Sequence, residues 1–568
     1  MIKLLTGNKF NTSFTPLNNE TKLKVVVPVI IFLILNTLKI TIYSLYIIPS
    51  HEASIFIYKF GLTLMMSFLV YPIVFKFKSF MPLLSLYILQ TIYITVNISY
   101  YLYYHNYLHV MQMITLFKEA FISAGHSSSP MSPQLLVAFI DLPILIYVLF
   151  KYSSVKQFFS GLPFKGMFLI VSSFLIILCI EGINYAHGDS IIQYSDSIKG
   201  DESQIVEKYG TLVNNVVSLY TNDGCKQLTD YLEHSKNVSG KAEAKNTPNF
   251  VIIQVESMDS NVINQKYKGQ YIAPFLHSLS QQSIYYPYVL SYHMGGGTSD
   301  SEFSIINSVE PLPDYPAIKL DDYDYANSLI KKLSAASYNT MAFHGNIGYF
   351  YNRSSAFPKM GFGDFFDLEK MDMEDTGWGA PDNDVFNYAA NHLNKSRQPL
   401  MSYIITMTSH TPFTNAKNYY NNNIYDDIED DTVRNYFNSI SYVDRSIGDF
   451  ISKLQSELKN TYFFIIGDHT PSINKDSYQQ ASFIMDNKYF EFVPLIIITP
   501  DNKVYKEDKS VASFLDISPT ILYASGINFN MKSNGQDLIN SNNYSKTISF
   551  KGSLYDRKLL YSKINSSR

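Results

Sequence analysis

The sequence predicts a membrane-anchored α/β protein: five N-terminal transmembrane helices, then an extracytoplasmic domain with a mainly parallel central sheet flanked by helices. Three observations carry this. Five long apolar stretches are confined to the first third of the chain. That third carries an excess of lysine, whereas the remainder is acidic. After Asn249, short apolar runs alternate with helical patterns and repeatedly close on ionisable residues.

The apolar stretches fall at roughly 25–48, 58–75, 80–104, 134–150 and 166–182. Each approaches or exceeds the ~17–25 residues that cross a hydrocarbon core. A cleavable signal peptide has a single short apolar segment, so five stretches argue for multiple spans. Lysines mark alternate loops: Lys3, Lys9, Lys22 and Lys24 before the first, Lys76 and Lys78 after the second, and Lys151, Lys156 and Lys165 after the fourth. Positive charge stays on the cytoplasmic side. The expected topology therefore has a cytoplasmic N-terminus and everything after about residue 183 outside. Lys39 and Asp141 lie within or at the edge of spans; one reading is a helix-pairing or lipid-headgroup site, the other an interfacial position.

Composition agrees. Of 568 residues, 46% are hydrophobic and only 17% charged, against about 25% charged in a soluble globular chain. Residues 1–185 carry a balance of +7 and the rest −11, a net of −4. No basic excess points to nucleic acid. Two cysteines, Cys179 and Cys225, exclude a disulfide scaffold and a Cys-rich metal site. The expected organisation is a membrane domain over 1–185, a linker with helical segments over 186–248, a catalytic domain over 249–545 and a tail over 546–568.

Within the outer part, Phe250-Val-Ile-Ile-Gln-Val closes on Glu256, Thr340-Met-Ala-Phe on His344, and Met401-Ser-Tyr-Ile-Ile-Thr-Met-Thr leads to His410. Tyr462-Phe-Phe-Ile-Ile-Gly closes on Asp468-His469, and a fifth run, Phe492–Thr499, on Pro500-Asp501. Continuous apolar strands between helices indicate a parallel sheet covered on both faces. In such sheets ligands bind beyond the carboxyl ends of the strands. Glu, His, His and Asp-His at four such ends therefore point to a shared metal or catalytic site.

His293-Met-Gly-Gly-Gly-Thr298-Ser-Asp-Ser-Glu302 reads as a glycine loop opening a helix. Ser299 and Glu302 have capping-box spacing. Thr298 then lies at the helix N-terminus, where free N–H groups and the macrodipole favour negative charge. It is the candidate nucleophile. The carboxylates and imidazole at the strand ends suit Mn²⁺ or Mg²⁺, with no thiolate nearby.

The ordered set of Gln-Val-Glu256-Ser, Gly-Gly-Thr298-Ser-Asp-Ser-Glu-Phe, His344-Gly-Asn with Tyr-Asn-Arg353, Ser-His410-Thr-Pro-Phe and Gly-Asp468-His469-Thr-Pro resembles the lipoteichoic acid synthase family of the sulfatase/alkaline-phosphatase-like superfamily. Leu515-Asp-Ile-Ser-Pro-Thr-Ile-Leu resembles that superfamily's C-terminal pattern, and five preceding spans match the family's architecture. The resemblance implies a sulfatase-like domain in which Glu256, Thr298, Asp468 and His469 hold one divalent cation, usually Mn²⁺. It implies that His344, Tyr351, Arg353 and His410 surround a glycerophosphate group, with Thr298, His344, Arg353 and His410 as the catalytic set. Tyr351 stands where the family often has Trp, and Asn346 where it has Asp.

The implied activity is transfer of glycerophosphate from phosphatidylglycerol through a phospho-threonine to an acceptor hydroxyl on a glycerophosphate polymer, a glycolipid or a glycan. The implied location is a bacterial cytoplasmic membrane, multi-pass, with the catalytic domain outside and membrane lipid as partner. The alternatives are a phosphoethanolamine or glycan-directed phosphoglycerol transferase, or a sulfatase-like phosphohydrolase. Trp378, the single Trp, either lines the groove or packs.

Overall fold

The computed structural model describes residues 224–566 except 243–246, 314, 487 and 541–544. N-terminal to these it describes 31–43 except 33, then 81–104, 107–108, 138–152 and isolated positions between 181 and 215. The chain forms two compact units, one of residues 1–102, 131–197 and 202–217 and the other of 103–130, 198–201 and 218–568.

In the first unit, helix α1 (Met81–Tyr104) contains the one described helical stretch long and apolar enough to cross a membrane, Leu83–Tyr101. A shorter apolar helix, α2 (Leu142–Tyr152), follows, and the described residues of 31–43 are helical. The expected spans at 58–75 and, for nearly all its length, 166–182 lie outside the described residues. Lys39 and Asp141 meet as an ion pair at 2.9 Å. Lys39 also donates to Thr91 Oγ1 at 2.6 Å and lies over the Tyr87 ring, whose hydroxyl donates to Asp141. Buried charges are tolerated when paired and hydrogen-bonded. The structure thus supports the helix-pairing reading of these two residues.

The second unit is built on a ten-stranded mixed sheet. Its elements in chain order are α3 (Gly224–Glu233), β1 (Lys236–Gly240), β2 (Asn249–Val255), the short hairpin β3 (Lys266–Tyr267) and β4 (Gln270–Tyr271), α4 (Pro274–Gln282), β5 (Ile284–Leu290), α5 (Thr298–Asn307) and α6 (Leu329–Ala335). There follow β6 (Asn339–His344), α7 (Arg353–Met360), β7 (Asp364–Phe366), α8 (Asp382–Leu393), β8 (Leu400–Ile405), α9 (Asp431–Glu457), β9 (Thr461–Gly467), β10 (Ser482–Met485) and β11 (Lys488–Ile498). The chain closes with β12 (Tyr505–Lys506), β13 (Ala512–Ser513), α10 (Ile517–Ser525), β14 (Phe529–Ser533), β15 (Thr547–Phe550), β16 (Ser553–Asp556) and α11 (Arg557–Ser566).

The sheet order is β12-β5-β11-β9-β2-β8-β6-β7, with β10 on β11 and β13 on β5. Strands β9, β2, β8, β6 and β7 are parallel. Both faces of the central strands are covered, which is why they read as mostly continuous apolar runs rather than as alternation. Phe250, Ile252, Tyr403 and Phe464 enter one core, shared with residues of α5 and α10. Val251, Ile253, Ile404 and Phe463 enter the other, shared with Phe386 of α8 and Ile440 and Ile447 of α9.

Strand β11 departs from the expected parallel pattern: it runs antiparallel to both β9 and β5. The run Phe492–Thr499 therefore ends at the opposite edge of the sheet from the other carboxyl ends, and Asp501 is removed from them. Its amino end, with Glu491, lies at the site edge instead. Periodicity cannot separate the two directions, because a strand buried on both faces reads as continuously apolar either way.

Two segments expected to flank the domain are part of it. Lys236–Gly240, within the expected linker, pairs antiparallel with β14. Thr547–Ser566, within the expected tail, forms a hairpin and a helix whose Ile548, Phe550, Leu560 and Ile564 enter the core. Buried Arg557 there bonds both oxygens of Asp516 at 2.8 Å. Removing one partner of a buried ion pair leaves the other uncompensated. Arg557→Ala is expected to lower the unfolding free energy of this unit by about 3–5 kcal/mol, read as urea unfolding of the full-length protein. An unchanged midpoint would show that the C-terminal helix is dispensable.

Candidate active site

Three parallel strands and the antiparallel one deliver the central residues. Glu256 follows β2, Asp468 and His469 follow β9, and Glu491 opens the site end of β11. Gly467, just before Asp468, must be glycine: a Cβ there would lie 2.2 Å from Met258 O. The loop after β5 carries His293 and the three glycines into α5, where Gly297 is the N-cap residue at φ 56° and Thr298 the first helical residue. That positive φ is readily available only to glycine.

One oxygen or nitrogen from each of Glu256, Asp468 and His469 lies within 4.8 Å of the others, all three residues being buried. His469 Nε2 is 3.3 Å from Glu256 Oε1 and 3.7 Å from Asp468 Oδ2. The half-buried Thr298 completes the group, its hydroxyl donating to Glu256 Oε2 at 3.1 Å. Asp468 Oδ1 accepts from the Ser257 and His469 amides at 2.7 Å each, while Oδ2 is buried with no hydrogen-bond partner. Burial raises the Asp468 pKa well above the carboxylate range, and neighbouring Glu256 adds to this. Burial opposes a charged His469, but the Asp468 and Glu256 carboxylates outweigh it and push the imidazole well up. The same imidazole, with His410, overcomes burial at Glu256 and holds that carboxyl low. These shifts have one origin: two buried carboxylates demand positive charge between them. A divalent cation supplies it, so the donor set and the orphaned Asp468 oxygen fit a hard-metal site.

The expected capping box is absent. Ser299 Oγ donates to Gly296 O at 2.7 Å, and Glu302 does not return to the cap. Asp300 organises the glycine loop instead, accepting from the Met294 and Gly296 amides at 3.0 and 2.8 Å. Ser301 Oγ and Ser291 Oγ both donate to Asp468 O, at 3.1 and 2.5 Å. Glu302 receives Arg353, whose Nε reaches its two oxygens at 3.0 and 2.9 Å. Sequence spacing matched a local motif, whereas tertiary partners took both side chains.

The residues expected around the phosphate divide. His344, at the end of β6, is buried, and its Nδ1 has no hydrogen-bond partner. Burial first, then the charge of Arg353, push its pKa well below the usual imidazole range, so it is neutral. Arg353 is also buried, held by Glu302 and by the Phe350 carbonyl at 3.3 Å. Tyr351 has a φ of 53° and its ring lies 5.9 Å from the Arg353 guanidinium. His410 is half-buried; its Nδ1 is 2.7 Å from Thr411 O, and its ring stacks on Trp378 at 4.1 Å. Trp378 packs with Phe350 and Met407, so its packing role is the observed one. Asn346 caps its own loop, Oδ1 accepting from the Ile347 amide at 2.7 Å.

Sequence reasoning left three supporting residues unassigned. His293 lies beneath His469, the rings stacked at 4.3 Å, with Nδ1 3.0 Å from Glu491. Glu491 also accepts from Thr470 Oγ1 at 2.5 Å; burial is outweighed by His293, and its carboxyl is held down to about 2. Asp382 accepts from the Met407 and Thr408 amides at 2.7 and 3.0 Å, fixing the loop that carries His410. The antiparallel course of β11 hid Glu491. For Asp382 the sequence held a hint, an acid directly after Gly-Ala-Pro at a helix start.

A ten-stranded mixed sheet with a carboxylate–imidazole–threonine cluster at its strand ends defines the class. The Sulfatase family profile matches residues 248–527, and this part of the chain is a sulfatase-family domain. The chain resembles the lipoteichoic acid synthases: it is 26% identical over 492 residues to lipoteichoic acid synthase 2 of Bacillus subtilis (strain 168), covering 81% of this chain and 74% of that protein. It is 30% identical over 339 residues to the lipoteichoic acid synthase of Staphylococcus saprophyticus, covering 56% of this chain and about half (51%) of that protein. Among solved structures, the lipoteichoic acid synthase LtaP from Listeria monocytogenes matches with 25% identity and a TM-score of 0.49, covering 55% of this chain and 81% of that one.

Burial raises the Asp382 carboxyl to about 6, against 3.8 unfolded. Between these values the folded state holds a proton that the unfolded state has lost. Stability is therefore expected to fall as pH rises from about 4 to about 6, by up to roughly 3 kcal/mol from this group. Asp382→Asn should flatten that part of the stability–pH curve in urea titrations. A slope unchanged by the substitution would assign the effect to other groups.

Proposed function

We propose that this protein is a metal-dependent phosphoglycerol transferase of the lipoteichoic acid synthase type. It takes glycerophosphate from phosphatidylglycerol and passes it through Thr298 to an acceptor hydroxyl on a glycerophosphate polymer, glycolipid or glycan. The observation that carries this reading is the Thr298 hydroxyl on Glu256, beside Asp468 and His469, at a helix start in a sulfatase-family domain. The names of the similar proteins point to the same substrate class.

Glu256, Asp468, His469 and Thr298 would hold the cation, Mn²⁺ by the family resemblance. When bound, it lowers the pKa of a coordinated hydroxyl and neutralises phosphoryl charge. Thr298 loses its proton and its oxygen forms a bond to phosphorus. The bond from phosphorus to the diacylglycerol oxygen breaks, and that oxygen takes a proton. In the second half-reaction the acceptor oxygen bonds to phosphorus, gives up its proton, and the Thr298 oxygen leaves. Half-buried His410 is suited to move the proton in both directions. His344, kept neutral by burial and Arg353, is suited to hydrogen-bond the headgroup. Arg353 and Tyr351 would border the phosphate.

The five-span reading and the outward placement of residues after about 183 belong to the same proposal. A tethered domain meets its lipid substrate at the headgroup layer, at high effective concentration. Reporters fused after Asp201 and Lys78 should report outside and inside respectively; a cytoplasmic reporter at Asp201 would separate the domain from the outer lipid face.

Chelation is expected to abolish diacylglycerol release, and Mn²⁺ to restore it. Protein incubated with phosphatidylglycerol and no acceptor should carry glycerophosphate on Thr298 by mass spectrometry. Thr298→Ala should lose both adduct and turnover. Diacylglycerol release by Thr298→Ala at the wild-type rate would instead support a direct hydrolysis.

A further inference from the structure

Glu302 is the motif residue that the reaction scheme does not use. It is fully buried on α5, four residues after Thr298. Residues at i and i+4 share one helix face, so Glu302 lies one turn behind the nucleophile. Its carboxylate takes the guanidinium of Arg353 edge-on, Nε at 3.0 and 2.9 Å from the two oxygens and Nη2 also bonded to Oε1. Burial raises the Glu302 carboxyl above its ordinary value, and the guanidinium opposes that rise. A guanidinium is a cation across the physiological range, and this two-oxygen geometry is that of an ion pair. The guanidinium that the proposed function sets beside the phosphate thus carries its own counter-charge before any substrate arrives.

A phosphodiester bears one negative charge, whereas a phosphomonoester bears about 1.5–2 at pH 7. An unpaired guanidinium in a buried site would favour the more highly charged ligand. We propose that Glu302 is a specificity-determining residue: by neutralising Arg353 one turn behind Thr298, it tunes the site to phosphodiesters and against phosphomonoesters. The inference rests on the transferase reading, in which the lipid donor, the threonine-bound intermediate and the growing polymer are all phosphodiesters. Glu302 acts through Arg353 and not on the substrate directly.

The test uses the full-length protein in detergent with Mn²⁺ at pH 8. Hydrolysis of bis(p-nitrophenyl) phosphate and of p-nitrophenyl phosphate is compared in wild type and Glu302→Gln, which keeps the shape and removes the charge. Glu302→Gln is expected to raise the monoester-to-diester ratio of kcat/KM by about tenfold or more. A merely structural role would lower both rates together, and an unchanged ratio would overturn the proposal. Glu302→Gln leaves Arg353 buried without its partner and can cost folding. A wild-type measurement therefore stands beside it: inhibition by glycerol phosphate and by its methyl diester. The diester is expected to bind at least as tightly, and tenfold tighter binding of the monoester would overturn the proposal. Release of diacylglycerol from phosphatidylglycerol by wild type is measured in the same preparation. Its absence would remove the transferase reading, while the synthetic esters still decide the charge preference.

Discussion

The electrostatic requirement of two carboxylates buried side by side governs the organisation of this domain. Glu256 and Asp468 stand at the ends of adjacent parallel strands, β2 and β9, and cannot both be charged in isolation. His469 meets both, and Thr298 donates to Glu256. The surrounding polypeptide is arranged to hold those groups still. Ser409 and Thr406 of the neighbouring β8 loop bond the Glu256 carbonyl and amide at 2.6 and 3.0 Å. Ser291 and Ser301 bond the Asp468 carbonyl from the other side. A cation placed among the carboxylates would relieve their repulsion without moving the backbone.

The sheet topology follows from the same demand. Parallel strands bring several loop starts to one edge, and here β2, β6, β8 and β9 each contribute one. The single reversed strand, β11, adds a residue from its amino end, so Glu491 reaches His293 beneath His469. A fully parallel sheet would have placed Glu491 at the far edge. The reversal therefore completes the support of the His469 imidazole.

Much of the site was legible in the sequence because its residues stand directly after apolar runs of strand length. Glu256, His344 and Asp468-His469 could be found that way, and Thr298 by its three glycines. Glu491 and His293 could not: they act on each other across 198 positions, and strand direction leaves no periodic trace; Asp382 left only the hint of an acid after Gly-Ala-Pro. The Ser299/Glu302 spacing misled for a related reason. A capping box is a local pattern, and a buried helix start can satisfy its groups by tertiary contacts instead. The hairpin and helix at 547–566, expected as a tail, join the core through Ile548, Phe550, Leu560 and Ile564 and through the Arg557–Asp516 pair.

The start of α5 shows how these constraints meet. Every residue from Ser299 to Asn307 is buried, although the first four are polar. Ser299 and Asp300 both bond the glycine loop, Ser301 bonds the end of β9 and Glu302 the start of α7. Asp300 Oδ1 is buried without a partner, but each of the four side chains makes at least one bond, and together they fix the helix in position and rotation. Gln254 of β2 adds a fifth tie, donating to Thr298 O at 3.4 Å while it accepts from Tyr403. Thr298, the proposed nucleophile, is thus held by a buried helix rather than by the glycine loop that precedes it. Glycines supply the close backbone turn, and the polar residues that follow them supply the stiffness. In the proposed reaction, a threonine fixed in this way would meet its cation and phosphorus without reorganising, which is the condition for electrostatic catalysis.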